Sequence, residues 1–197
     1  MKLIVQIPAF NEARSLRCAI EDVAKNAGKE KWGSFQILVV NDGSTDPSVN
    51  EARNAGVEEI VDLKQHQGLG MAFKEGLRRA LVLGADVIVN TDADLQYPAS
   101  EIPRLVEPIL KGEADMVIGC RAFWRIPGYP TYKIFTQTAG NILISMLYRK
   151  RIADATSGFR ALSRDTAGIL VESLANPYTY TIESLCLLLR QHKRVLF

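Results

Sequence analysis

Asp86 to Pro98 reads "DVIVNTDADLQYP", an apolar run that stops abruptly at acids and amides. The run is short and β-branched, which predicts a buried strand. The polar half carries two carboxylates one residue apart, Asp92 and Asp94, and then an amide, Gln96. "SEIPRLVEPILKG" follows, apolar at helical spacing, with Ser100 as its expected cap. Strand, polar turn and helix form the repeating unit of an α/β layer. In such layers ligands bind outside the carboxyl ends of the strands, where this polar turn falls.

The same unit recurs upstream. "KLIVQI" is a first strand, and Glu12 to Ala27 form a helix with Leu16, Ala19, Ile20 and Val23 on its apolar face. "FQILVV" is a second strand, ended by the turn formers of "NDGSTD". Asp46 or Ser48 caps the next helix, which runs to about Ala55. "EEIVDL" is a weaker third strand, "GLGMAFKEGLRRALVLG" a helix closed by Gly84, and "DMVIG" a fifth strand after the quoted one. The expectation is a mostly parallel sheet flanked by helices, with "PAFNE", "NDGSTD", "NTDADLQ" and "GCR" converging on one rim.

After Arg121 the alternation stops. A loop of proline, glycine and aromatics leads to a helix from Lys133 to Tyr148, then "DATSGFRALSRD". A short helix from Asp165 and another from Thr179 to Gln191 precede the strand-like "RVLF". The chain is expected to be one catalytic domain, with residues 1–120 its ligand-binding half and 121–197 a second half. "RVLF" has no following turn or cap, so the chain is expected to be a fragment.

Composition narrows the function. With 47% hydrophobic and 23% charged residues over 197 positions, the chain has the mix of one globular domain. A formal net charge of +2 gives no reason to expect nucleic acid as a partner. Cys18, Cys120 and Cys186 are widely spaced and form no CxxC pair, which argues against a disulfide framework or zinc site and for a cytoplasmic location. No signal peptide is visible, and no apolar run reaches the roughly 18 residues of a membrane span. From Arg121 to Arg151 there are six basic residues and no acid, interleaved with Phe123, Trp124, Ile126, Tyr129, Tyr132 and Phe135. That composition suits either a surface that meets anionic headgroups or phosphates, or a solvated loop.

The acids carry the chemistry. On an extended chain Asp92, Asp94 and Gln96 share one side. Two carboxylates and an amide oxygen are hard ligands, suited to Mg²⁺ or Mn²⁺. Mg²⁺ usually completes its shell with water and substrate phosphates, so the implied substrate is a nucleoside diphosphate carrying a leaving group. The alternative is that the acids only cap the helix near Pro98. Asp42 can accept from a base N–H or a ribose hydroxyl, or serve only its own turn. Glu12 can take ribose hydroxyls, or sit in a first helical turn where the dipole favours a carboxylate. His66 and His192 have no acid or cysteine at metal spacing and are expected to be loop and surface residues.

"IPAFNE", "VVNDGSTD", "NTDADLQYP", "GCR" and "DATSGFRALSRD" together resemble, in order, the motifs of inverting family 2 glycosyltransferases of the GT-A fold. The likeness covers nearly the whole chain and is strongest to the polyprenyl-phosphate, dolichyl-phosphate mannose synthase-like branch. It implies that Pro8, Phe10 and Glu12 line the nucleotide pocket and that Asp42 contacts the base. It implies that Asp92, Asp94 and Gln96 bind the metal and diphosphate, with Asp94 counted among the catalytic residues. Arg121 and Lys133 match positions that hold an acceptor phosphate, and Arg160 of "SGFR" is a further motif residue assigned to that side. Asn41 stands where many members have a first Asp, and Gln137 where the mannose synthase pattern has a Ser. Family members also continue past "RVLF", so a C-terminal extension is expected to be lacking here.

The implied reaction is inverting, metal-dependent transfer of a sugar from a UDP- or GDP-linked donor to a polyprenyl (dolichyl or undecaprenyl) phosphate. The implied location is peripheral, at the cytoplasmic face of a membrane. Asp154 would act as a base if the acceptor were a hydroxyl, or otherwise orient Arg160 by a salt bridge. The second role is preferred, because a phosphate acceptor needs no base. Two alternatives stand beside this reaction. One is a transferase of the same fold acting on a saccharide hydroxyl in surface-polysaccharide assembly. The other is a truncated nucleotide-sugar-binding module without turnover. "HQGLGMA" lacks the third glycine and upstream strand of a dinucleotide fingerprint, which excludes a dehydrogenase.

Overall fold

The structure is a computed structural model and describes residues 1–121, 130–175 and 179–197. Phe123, Trp124, Arg125, Ile126 and Tyr129 of the basic and aromatic stretch lie outside the described residues.

β1 (Lys2–Ala9) is buried at every position after Lys2, because both faces of the sheet are covered. Leu3, Val5 and Ile7 join one core layer, and Ile4 joins the other. β1 runs parallel to β2 (Ser34–Asp42), from Lys2 opposite Ser34 to Ala9 opposite Asn41. On its other side it runs parallel to β4 (Val87–Asn90), with Leu3 opposite Val87. α1 (Leu16–Asn26), α2 (Ser48–Asn54) and α4 (Ile102–Leu110) supply the first core layer. α3 (Leu69–Val82), α6 (Arg164–Ser173) and α7 (Tyr180–Arg190) supply the second, around the fully buried Phe73 and Leu77.

The sheet has seven strands, with β3 (Glu59–Leu63) at one edge and β7 (Val195–Leu196) at the other. Its order is β3-β2-β1-β4-β6-β5-β7, where β5 is Met116–Ile118 and β6 is Arg160–Ser163. β6 is antiparallel to both neighbours, and every other pairing is parallel. The long α5 (Thr131–Tyr148) lies between β5 and β6 in the chain.

All five strands expected before Arg121 form. β6 forms within "DATSGFRALSRD", a stretch for which no strand was expected. Its four residues include a buried arginine, which hides the apolar signal of a central strand. Its place has a consequence for the site. Arg160 pairs with Asn90 and Ile118, the last residues of β4 and β5, so the entering segment Ser157–Phe159 lies on the rim.

Helix starts also differ. Glu12 to Ser15 make a turn, with Ser15 N–H donating to the Glu12 carbonyl, so α1 begins at Leu16. Ser100 lies in a 3₁₀ turn, Ala99–Glu101, and Glu101 takes the cap position of α4. Pro47 occupies the cap position of α2, although Asp46 Oδ1 still accepts from the Ser48 N–H.

Candidate active site

The carboxyl ends of β1, β2 and β4 open onto a cavity of about 340 Å³. Pro8, Phe10 and Glu12 line it after β1, Asp42 at the end of β2, and Asp92 and Asp94 after β4. Six of the expected donor-site residues therefore come together, and the turn chemistry of each strand end explains how.

Asp42 is buried and accepts from the N–H groups of Gln67 (2.8 Å) and Gly68 (2.9 Å), which fastens the start of α3. It also meets His66 Nδ1 at 2.9 Å. Gly43, at φ 71°, allows this approach, since a Cβ there would lie 2.5 Å from the backbone of Gln65 and His66. His66 was expected to be a plain loop residue. Its ring in fact stacks on Phe10, with centroids 3.8 Å apart and planes at 24°, and it lines the cavity. Sequence spacing gave no sign of this, because Asp42 is 24 residues away.

The acid turn is not extended. Leu95 takes a left-handed conformation, φ 62°, and the Gln96 N–H donates to Asp94 Oδ1 at 3.0 Å. Asp92 and Asp94 face the first cavity, whereas Gln96 turns into a second one of about 350 Å³ shared with Tyr97, Cys120 and Arg121. Gln96, expected as a third metal ligand, thus lines a different cavity from Asp92 and Asp94, because the reversal at Leu95 undoes the strand parity.

Asp92 is half-buried, and among the described residues no hydrogen bond reaches its carboxylate. Burial pushes its pKa up to about 6, the nearby Asp94 adds to this, and Arg121 opposes it. Asp94 is exposed. Among the described residues no group of three or more His, Cys, Asp or Glu could hold an ion. The pair still fits Mg²⁺ or Mn²⁺: two hard anions, one half-buried and one exposed, face one open cavity, leaving the remaining ligand positions to water or phosphate.

Arg121 closes the rim after β5. Its Nε and Nη2 donate to Asp154 Oδ2 (2.9 Å) and Oδ1 (3.0 Å), and Nη2 also donates to Thr156 Oγ1 at 2.6 Å. Asp154 is buried, with a side chain only 1% exposed, so this is a bidentate pair at the edge of the core. The expected Asp154–Arg160 pairing is therefore replaced by Asp154–Arg121.

Arg160 is fully buried and donates to the carbonyls of Ser157 (2.7 Å) and Ala155 (3.0 Å) and to Ser184 Oγ (2.7 Å). Burial pulls its pKa down to about 10. It underpins the rim loop and does not present itself to an acceptor, which corrects its expected place. Lys133 is exposed on the first turn of α5, outside the residues that line either cavity. Glu183 accepts from the Ala175 N–H at 3.0 Å, which ties α7 to the end of α6.

The sequence profile described as glycosyl transferase family 2 matches residues 4–168. An undecaprenyl-phosphate mannosyltransferase of Micrococcus luteus is 31% identical over 175 residues, covering 84% of this chain and 68% of the relative. A UDP-N-acetylglucosamine–dolichyl-phosphate N-acetylglucosaminyltransferase of Methanococcus voltae is 28% identical, covering 85% of this chain and 72% of the relative. A dolichol-phosphate mannosyltransferase of Pyrococcus furiosus is 30% identical, covering 84% of this chain and 47% of the relative. Among solved structures, glucosyl-3-phosphoglycerate synthase from Mycobacterium tuberculosis superposes with a TM-score of 0.76 at 21% identity. The match covers 99% of this chain and 68% of that one, which was crystallised with Mn²⁺, UDP and glucosyl-3-phosphoglycerate. At that identity the likeness is one of fold.

Proposed function

The chain belongs to glycosyl transferase family 2 and is a glycosyltransferase of GT-A fold, and we propose that it transfers a sugar from a UDP- or GDP-linked donor to a polyprenyl phosphate, with inversion and with Mg²⁺ or Mn²⁺. One observation carries this reading: the acid turn is a partition between two cavities. Asp92 and Asp94 line the cavity that holds Phe10, Glu12 and Asp42, and Gln96 lines the one that holds Arg121. The first has the groups for a nucleoside diphosphate and the second a cation for an incoming phosphate. The printed names of the polyprenyl-phosphate transferases among its relatives support the acceptor.

Phe10 and His66 offer an aromatic shelf for the base, and Asp42 an acceptor beside it. A divalent ion bound at Asp92 and Asp94 would supply positive charge against the departing diphosphate. Arg121, fixed by Asp154, would orient the acceptor phosphate for attack at the anomeric carbon. That phosphate has its second pKa near ~6, so it arrives anionic and needs no base. Asp154 spends both oxygens on Arg121, which fits an orienting role better than proton abstraction from a sugar hydroxyl.

α5 supplies a membrane face in this reading. Tyr132, Phe135, Ile142, Leu143, Met146 and Leu147 fall at helical spacing and are exposed, while Ile144 and Tyr148 pack on the core. Among the described residues no helix is long and apolar enough to cross a membrane. Arg149, Lys150 and Arg151 end this stripe, and Lys150 and Arg151 share a cavity with Cys120, next to Arg121. An acceptor held in a bilayer would thus meet the Arg121 rim.

The test is a product assay. UDP- and GDP-sugars are incubated with undecaprenyl or dolichyl phosphate in vesicles, with and without Mn²⁺, and the lipid product is identified by mass and anomeric configuration. An inverted glycosyl lipid phosphate, lost on chelation, is expected. Transfer only to water-soluble saccharides would overturn the acceptor, and hydrolysis alone would favour a binding module.

A further inference from the structure

Behind Asp92, among the described residues, stands a hydroxyl without a hydrogen-bond partner. Tyr180 begins α7 and is only 2% exposed, with its ring fixed against Phe73 at a centroid distance of 4.5 Å. Among the described residues its hydroxyl has no hydrogen-bond partner. A buried polar group in that state costs stability. A phenylalanine would fill the same space without that cost.

The hydroxyl and the Asp92 carboxylate line one small space. A Cβ on Gly158 would sit 3.0 Å from each Asp92 oxygen and 3.2 Å from the Tyr180 hydroxyl. Glycine at 158 keeps that space open. Gly158 is itself held in place: its carbonyl accepts from Asn90 Nδ2 at 2.8 Å, and Asn90 Oδ1 accepts from Gln6 Nε2 at 2.9 Å. Arg160 Nε binds the preceding carbonyl, that of Ser157, at 2.7 Å. Among the described residues, a buried donor without a hydrogen bond and the Asp92 carboxylate therefore both crowd against the same fixed glycine.

We propose that Tyr180 is a positioning residue for the donor site, its O–H donating to one oxygen of Asp92 when the other holds a divalent cation. This rests on Asp92 being a metal-binding carboxylate. A donor behind a ligating carboxylate fixes its orientation, and losing such a group typically weakens metal affinity by about 10–100-fold. Tyr180 need not touch substrate to act this way.

The experiment uses the whole chain in three forms: wild type, Tyr180→Phe and Asp92→Asn. Mn²⁺ is titrated by electron paramagnetic resonance with UDP and, separately, with GDP. Denaturant unfolding without metal is run in parallel. Tyr180→Phe is expected to be as stable as wild type or more so without metal, yet to bind Mn²⁺ about 10-fold more weakly or worse. Wild-type Mn²⁺ affinity in Tyr180→Phe would overturn the proposal, as would a clear loss of metal-free stability, which marks a merely structural hydroxyl. If Asp92→Asn binds Mn²⁺ as wild type does, or wild type binds none with either nucleotide, the metal assignment of Asp92 fails and Tyr180 with it. Loss in Asp92→Asn with no change in Tyr180→Phe sinks the Tyr180 role alone.

Discussion

Burial sets Asp92 against its own charge. Its pKa of about 6 lies above the usual carboxylate value of 3.8, so the folded chain holds this proton more tightly than the unfolded one. Its contribution to stability therefore declines as pH rises from about 4 to about 6, and stays low above that window. Asp92→Asn removes the charge while keeping the shape. At pH 7.5, without metal, the variant is expected to be more stable than wild type by on the order of 2 kcal/mol, with the gain closing below about pH 4. Denaturant melts at the two pH values check this, and equal stability at pH 7.5 would contradict it. Such a gain is the mark of a residue kept for its charge. At this scale the sequence was informative where a group belongs to its own turn. Asp42, Asp92 and Asp94 end strands, and strand ends can be read from apolar runs. His66 and Tyr180 were not legible, because what matters about them is a meeting with Asp42, 24 positions away, and a place beside Gly158, 22 positions away. Gln96 departs from the expected side for a local reason, since one left-handed residue, Leu95, reverses the parity.

At the scale of elements, the segment between α5 and β6 does most to shape the acceptor side. Asn141 on α5 donates to the Ala153 carbonyl and accepts from the Ala155 N–H, and Ser145 Oγ accepts from the Ile152 N–H. Those bonds hold residues 152–155 against the helix and deliver Asp154 to Arg121. Asp154→Ala would leave Arg121, 17% exposed, beside the core without its carboxylate. Removing one partner of a buried pair typically costs about 3–5 kcal/mol, so a loss of that order in denaturant unfolding is expected. A general base would give a different result: activity would fall while stability stayed within about 0.5 kcal/mol. The strands before Arg121 were legible because each is a continuous apolar run followed by turn formers. β6 was not, because only Ala161 and Leu162 are apolar in it and its burial comes from pairing with β4 and β5.

Taken whole, the molecule has one side unlike the others. The parallel half of the sheet hides its apolar residues under helices on both faces, whereas α5 turns an apolar stripe outward and ends in Arg149-Lys150-Arg151. If that side lies on a bilayer, apolar burial and headgroup attraction both contribute, and they can be separated. Each basic residue near an anionic surface is worth about 1 kcal/mol, so reversing all three to Glu should lower partitioning onto phosphatidylserine vesicles by roughly 100-fold or more. The effect should shrink with rising salt, because the attraction falls off within a Debye length. Phe135→Ser with Leu143→Ser, by contrast, should weaken binding at every salt concentration, since about 1.5–3 kcal/mol accompanies burial of each side chain. Both variants change positions that are exposed or, at Lys150, partly exposed, so their melting temperatures should match wild type. Vesicle sedimentation at two salt concentrations reads the outcome. Partitioning that neither variant alters would show that the stripe does not face lipid, and the lipid acceptor would then have to reach Arg121 by another side.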